Sequence, residues 1–123
     1  MSAGHDDQVF TTWVSDLEER NVCVVCLCGE LDVSTAPRFL SEMHAIIRRR
    51  KHVIMDVHLL EYADSTAVAA ILSTKNVVEG MGRRFCFTGC HGVVAKVLDA
   101  IHASDEIDRF DDVGTALDRW PAD

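Results

Sequence analysis

The chain has 123 residues, with 20 acidic against 12 basic side chains and a formal charge of −8. That length fits one domain with a single core, and that charge excludes functions that lean on basic surface, such as binding nucleic acid or anionic lipid. Apolar residues make up 48% and aromatic ones 7%, so Val, Leu, Ile and Ala must fill most of the interior.

Residues 1–8, M-S-A-G-H-D-D-Q, are polar and acidic. They lack the basic start and apolar stretch of a secretion signal, and no later segment reaches the roughly 18 apolar residues of a membrane span. The expectation is a flexible leading segment over residues 1–8, one domain over residues 9–120, a cytoplasmic location and no membrane partner.

Val9 to Leu17 reads as a first strand and Glu18 to Asn21 as a turn. Val22 to Cys28 is β-rich and nearly all apolar, as a strand buried on both faces is. So short a link makes the pair an antiparallel hairpin. Gly29 ends the run, and Ser34-Thr35-Ala36-Pro37 opens a helix with hydroxyl caps before a first-turn proline. Phe39, Leu40, Met43, Ile46 and Ile47 recur at three- and four-residue steps and form its apolar stripe. Arg48, Arg49, Arg50 and Lys51 close it, where cations complement the negative helix end.

Val53 to Val57 is a short buried strand, His58 to Ala63 a loop, and Asp64 opens a second helix. Val68, Ile71, Leu72 and Val78 supply its apolar side until Gly80-Met81-Gly82 stops it. Arg84 to Thr88 is another short strand. Val93, Val94, Val97, Leu98 and Ile101 stripe a third helix, and Val113 to Trp120 forms a short fourth one. Alternating helices and strands imply a mainly parallel sheet with right-handed crossovers, made mixed by the hairpin. The predicted fold class is α/β, with an open four- to five-stranded sheet and helices packed mainly on one face.

Enzyme signatures are missing: the chain has no Gly-x-Gly-x-x-Gly, Walker A, His-Glu-x-x-His or Gly-x-Ser-x-Gly pattern. The histidines show no metal-ligand spacing, so neither a metal nor a cofactor is expected, and the chain reads as a non-enzyme. Of five cysteines, Cys23, Cys26 and Cys28 share one predicted strand. Strand alternation puts Cys26 and Cys28 on one face and Cys23 on the other, which suits small hydrophobes in a reducing compartment. Cys86 and Cys90 pair only if the turn between them brings their Cα atoms within about 7 Å.

The stretch Asp64-Ser65-Thr66 places an acid and two hydroxyls where an apolar helix begins. One capping side chain suffices there, so the hydroxyls are either spare capping capacity or a place to receive a phosphoryl group. The first turn allows the second reading, because its unpaired N–H groups and the positive end of the helix dipole accommodate an anion, but Ser and Thr are common at helix starts and the residues alone favour capping.

Gly29-Glu30-Leu31-Asp32-Val33-Ser34-Thr35-Ala36-Pro37, followed about thirty residues later by Asp64-Ser65-Thr66-Ala67, resembles the STAS domain of bacterial anti-sigma factor antagonists. The resemblance runs from about Val9 to Leu117. It implies binding to an anti-sigma factor with serine-kinase activity, which phosphorylates Ser65 or Thr66; the modification abolishes binding, and a phosphatase restores it. By the same resemblance Glu30, Asp32, Asp64 and Ala67 are the partner-binding positions. The chain departs from the family in carrying Ala67 where Gly is usual, and Ser104-Asp105-Glu106 where Gly-Leu is usual. Two other readings use the same fold: a subunit of a lipid- or anion-transport ATPase assembly that needs no phosphate, and a redox-responsive binding module.

Overall fold

The computed structural model describes residues 10–100 and 107–120. The leading segment 1–8, Val9, Ile101 and Ser104-Asp105-Glu106 lie outside the described residues. Strand β1 (Phe10–Leu17) passes through a 3-10 turn (Glu18–Arg20) into β2 (Val22–Leu31). Asn21 closes that turn in the left-handed conformation, φ 56°, which Asn tolerates better than other residues with a Cβ. There follow α1 (Ala36–Ile47), β3 (His52–Ala63), α2 (Ser65–Gly80), β4 (Phe85–Thr88), α3 (Gly92–Ala100), β5 (Asp108–Phe110) and α4 (Val113–Arg119).

The five strands lie side by side in sequence order. β1 is antiparallel to β2, and β2 through β5 are mutually parallel. Because every parallel crossover steps in the same direction across the sheet, one handedness delivers α1, α2 and α3 to a single face. There Phe39, Met43, Ile46, Val68, Ile71, Val78, Val94 and Leu98 cover Cys23, Val25, Leu27, Val53, Met55, Phe85 and Phe87. The fourth helix is the exception: α4 covers the other face, where Ala116 and Trp120 pack on Val22, Ile54 and Cys86.

The strands differ from the sequence reading at three places. Gly29 does not end β2. It takes φ 99° at a register shift and the strand continues to Leu31, so this glycine marks a bulge. Residues 58–63 are not a loop but the second half of a twelve-residue β3. Its pairing with β4 ends at Asp56, and a second register shift falls between the Cys26–Asp56 and Cys28–Leu59 pairs. One edge is therefore open and the inside–outside alternation is broken, which erases the strand pattern from the sequence. β5 has only three residues, and no apolar run announces it.

The basic run after α1 also acts differently. Arg49 Nη1 sits 2.7 Å from Asp16 Oδ2, and Lys51 Nζ lies 2.8 Å from Glu18 and 3.4 Å from Asp16. Only His44 lies in the last turn of the helix itself. The cations clip the hairpin to the α1–β3 connection instead of mainly neutralising a helix end.

Gly89, just past β4, holds φ +74°, and a Cβ added there would stand 2.5 Å from His58 Cβ and 3.0 Å from its Cα. Backbone meets backbone at this point, so no flexible side chain can yield. Gly89→Ala is expected to cost on the order of 2 kcal/mol, read as a lower urea midpoint. An unchanged midpoint would show that β4 does not press on β3 in this way.

Candidate functional site

Strands β2 and β3 finish side by side, with Glu30 opposite Tyr62 and Leu31 opposite Ala63. Each then leads into a helix, so the two loops that start α1 and α2 are held together at one end of the sheet. The joint is Asp64. It has extended backbone geometry, and its Oδ1 accepts the Ala67 N–H at 2.8 Å, capping α2. Its Oδ2 accepts the Val33 N–H at 3.1 Å, and its own N–H donates to Leu31 O at 3.3 Å. The two carboxylate oxygens thus bind one loop each.

Asp32 organises the other loop. Its Oδ1 accepts the Ser34 N–H at 2.9 Å and hydroxyl at 2.7 Å, and the Thr35 N–H at 3.2 Å. Its main-chain N–H donates to Thr35 Oγ1 at 2.9 Å, and its carbonyl accepts from Ala36 N at 2.8 Å. The hydroxyls of Ser34 and Thr35 therefore do not cap α1, as the sequence suggested; Asp32 shapes its entry, and Thr35 makes no side-chain cap bond. The Ser34 hydroxyl first, then, against the opposing effect of burial, the N–H groups of Ser34 and Thr35 hold the Asp32 carboxyl below its ordinary range.

Ser65 and Thr66 are exposed on the first turn of α2. Glu30 and Glu61 are exposed in the adjoining strand ends, Asp32 and Asp64 are half-buried, and Val33 and Tyr62 are 65% and 42% exposed. The structure thus gathers Glu30, Asp32, Asp64, Ser65 and Thr66 at one end of the sheet. Ala67 is a correction: it is 0% exposed, so its methyl belongs to the core and offers a partner nothing. Ala67 contributes its N–H to the cap instead, and a methyl at this position is accommodated inside the fold.

A model of the STAS domain matches residues 15–116. The chain belongs to the STAS domain family. A curated relative, the anti-sigma F factor antagonist of Paenibacillus polymyxa, is 28% identical over 82 residues, 65% of this chain and 70% of its own. Among solved structures, an anti-sigma factor antagonist from Mycobacterium paratuberculosis superposes with a TM-score of 0.80 at 20% identity, over 89% of this chain and 92% of that one. The Bacillus cell fate determinant SpoIIAA in its phosphorylated form gives 0.70 at 19% identity, over 89% and 98%. These structures share the STAS fold with this chain.

The cysteines of this STAS domain are all free thiols. Burial pushes Cys23, Cys26 and Cys90 up to about 11 and Cys86 up to about 12. Thiols that keep their protons at neutral pH are poor nucleophiles, so the redox reading gains nothing from them. The structure does bring together three residues that the sequence left apart: Cys26, Asp56 and His58. His58 shows no ligand spacing along the chain because its neighbour Cys26 comes from the adjacent strand.

The low carboxyl pKa of Asp32 sets a pH dependence. A group whose folded pKa is depressed adds stability above its unfolded pKa, near 3.9, and loses it as pH falls through the folded value. The stability gap between wild type and Asp32→Ala should be full at pH 7 and shrink below about pH 4. Urea titrations at several pH values measure it. A gap that is constant down to pH 2 would contradict this account of the loop.

Proposed function

We propose that this STAS domain is an anti-sigma factor antagonist that acts by protein–protein contact in the cytoplasm and has no turnover of its own. Its partner is an anti-sigma factor with serine-kinase activity, bound through the surface around Ser65 while that residue is unmodified. Binding sequesters the anti-sigma factor and releases a sigma factor. Phosphorylation of Ser65, or of its neighbour Thr66, ends the binding, and a phosphatase resets it. The observation that carries the reading is the pair of exposed hydroxyls on the first turn of α2, tied by Asp64 to the Asp32 loop. The names of the curated relative and of the structural neighbours add support.

The chemistry of the switch is local. The Ala67 N–H is already committed to Asp64, so a phosphate on Ser65 finds that donor taken and a carboxylate beside it. It projects outward, adding about −1.5 to −2 charges to a surface that already holds Glu30, Asp32, Glu61 and Asp64. A partner fitted to a neutral hydroxyl then meets like-charge repulsion or an unpaired, desolvated anion. A hundredfold loss of affinity needs only about 2.7 kcal/mol, and no change of fold. Both Asp64 oxygens accept main-chain N–H groups, so this acid caps α2 and tethers the Asp32 loop beside the hydroxyls.

Incubation with the cognate kinase and ATP should add one phosphate, located by mass spectrometry at Ser65 and lost in Ser65→Ala. The unmodified chain should retain the anti-sigma factor, and Ser65→Glu/Thr66→Glu should bind it about a hundredfold less tightly. Phosphate on neither hydroxyl, or equal binding by the acidic variant, would overturn the switch. Co-purification with an ATPase regardless of Ser65 would favour the transport-assembly reading instead.

A further inference from the structure

The second cluster lies across the sheet from α1, α2 and α3. Val53 and Met55 face the helical core while Ile54 packs on the α4 side, so alternation puts Asp56 on the α4 side as well. Cys26 is its register partner on β2, and Thr88 its partner on β4. The register shift just beyond Asp56 leaves both His58 and Leu59 exposed, re-aiming His58 in the manner of a strand bulge. The close approach of Gly89 holds the His58 backbone in place.

Asp56 is only 8% exposed. Its Oδ1 accepts the Thr88 hydroxyl at 3.0 Å, and its Oδ2 lies 2.8 Å from His58 Nδ1. Neither partner is a permanent cation, which is an unusual situation for a carboxylate this deep. One ligand atom each from Cys26, Asp56 and His58 lies within 4.8 Å of the other two. Beside them opens a cavity of about 430 Å³ lined by Asp56, His58, Asp111, Asp112, Val113 and Gly114.

We propose that Cys26, Asp56 and His58 form a divalent transition-metal site, zinc in class, whose fourth position opens into this cavity. The donor set decides the class: a thiolate with an imidazole and one carboxylate suits Zn²⁺ and its neighbours, whereas Mg²⁺ and Ca²⁺ require oxygen cages. Three protein ligands with one open position is the arrangement of a site that keeps a water or a solute. The Cys26 sulfur, within 4.8 Å of both other donors, closes to roughly 3.5 Å around a tetrahedral ion. Ligand atoms about 2.0 Å from a tetrahedral centre stand roughly 3.3 Å apart, so the 2.8 Å separation of His58 Nδ1 and Asp56 Oδ2 opens by about half an ångström, which the exposed imidazole supplies by rotation.

Binding replaces a proton. As the metal–sulfur bond forms, the Cys26 thiol proton passes to solvent. His58 ligates as the neutral tautomer with its proton on Nε2, and Asp56 ligates as the carboxylate. Thr88 keeps Asp56 oriented, the supporting role that a hydrogen-bonded neighbour plays around a metal. The site shares no residue with the Ser65 surface and stands or falls independently of the partner switch.

Titration with Zn²⁺, and with Co²⁺ as a coloured probe, tests the assignment. The full chain should bind one equivalent of Co²⁺ with a thiolate-to-metal charge-transfer band, and Zn²⁺ should displace it. Cys26→Ser should abolish the band, and His58→Ala should weaken binding at least tenfold. His58 is exposed, so its loss leaves the fold intact, which an unchanged urea midpoint verifies. Binding without the band, binding that both variants retain, or no binding at micromolar metal would each overturn the proposal.

Discussion

The carboxylate of Asp64 joins two stretches of chain that lie about thirty residues apart. One oxygen stops the unpaired Ala67 N–H at the start of α2, and the other holds the Val33 N–H in the loop before α1. A neutral side chain of the same size would make weaker bonds, because hydrogen bonds to a charged acceptor are roughly twice as strong. With both loops fixed, Ser65 and Thr66 stand at the start of a rigid sixteen-residue helix, and Glu30 and Asp32 keep a fixed place beside them.

The sheet supplies the platform. Strands in sequence order with crossovers of one hand put three helices on one face, and that arrangement forces the C-terminal ends of β2 and β3, with the turns after them, to the same end. Loops at such an end are free to vary while the strands hold position. On the other face the short α4 covers only the ladder around Ile54 and Cys86. Asp56 and His58 remain beside an open cavity, on a face that among the described residues carries one helix where the other carries three.

The sequence made the helices legible wherever one face met the core. Phe39, Met43 and Ile46 project from α1 as their spacing requires and are buried, whereas Leu40, read into the same stripe, is 37% exposed. Asp64 was readable as a cap because an acid before an apolar run has few other uses. The second half of β3 was hidden, since Leu59, Tyr62 and the two residues before them do not alternate once a bulge intervenes and β4 has ended. Asp32 was read as a surface acid beside the motif, and its cap-building role depends on a tight turn that residue types alone do not reveal. Ala67 was read as a partner-binding position by resemblance, yet the helix phase turns it inward: it lies three residues from Ala70 and four from Ile71, both of which are buried. The Cys26, Asp56 and His58 cluster depends on cross-strand register, which one chain read in order does not display.

The central claim is that an anion added at the start of α2 changes a surface and leaves the fold alone. Amide spectra of the isotopically labelled chain, recorded before and after phosphorylation, test it most directly. The account predicts shifts confined to residues 30–35 and 61–68, with the amides of Phe39, Met55 and Phe87 unmoved. Shifts that spread through those core positions would mean that the phosphate rearranges the packing, and would contradict a switch built from local charge.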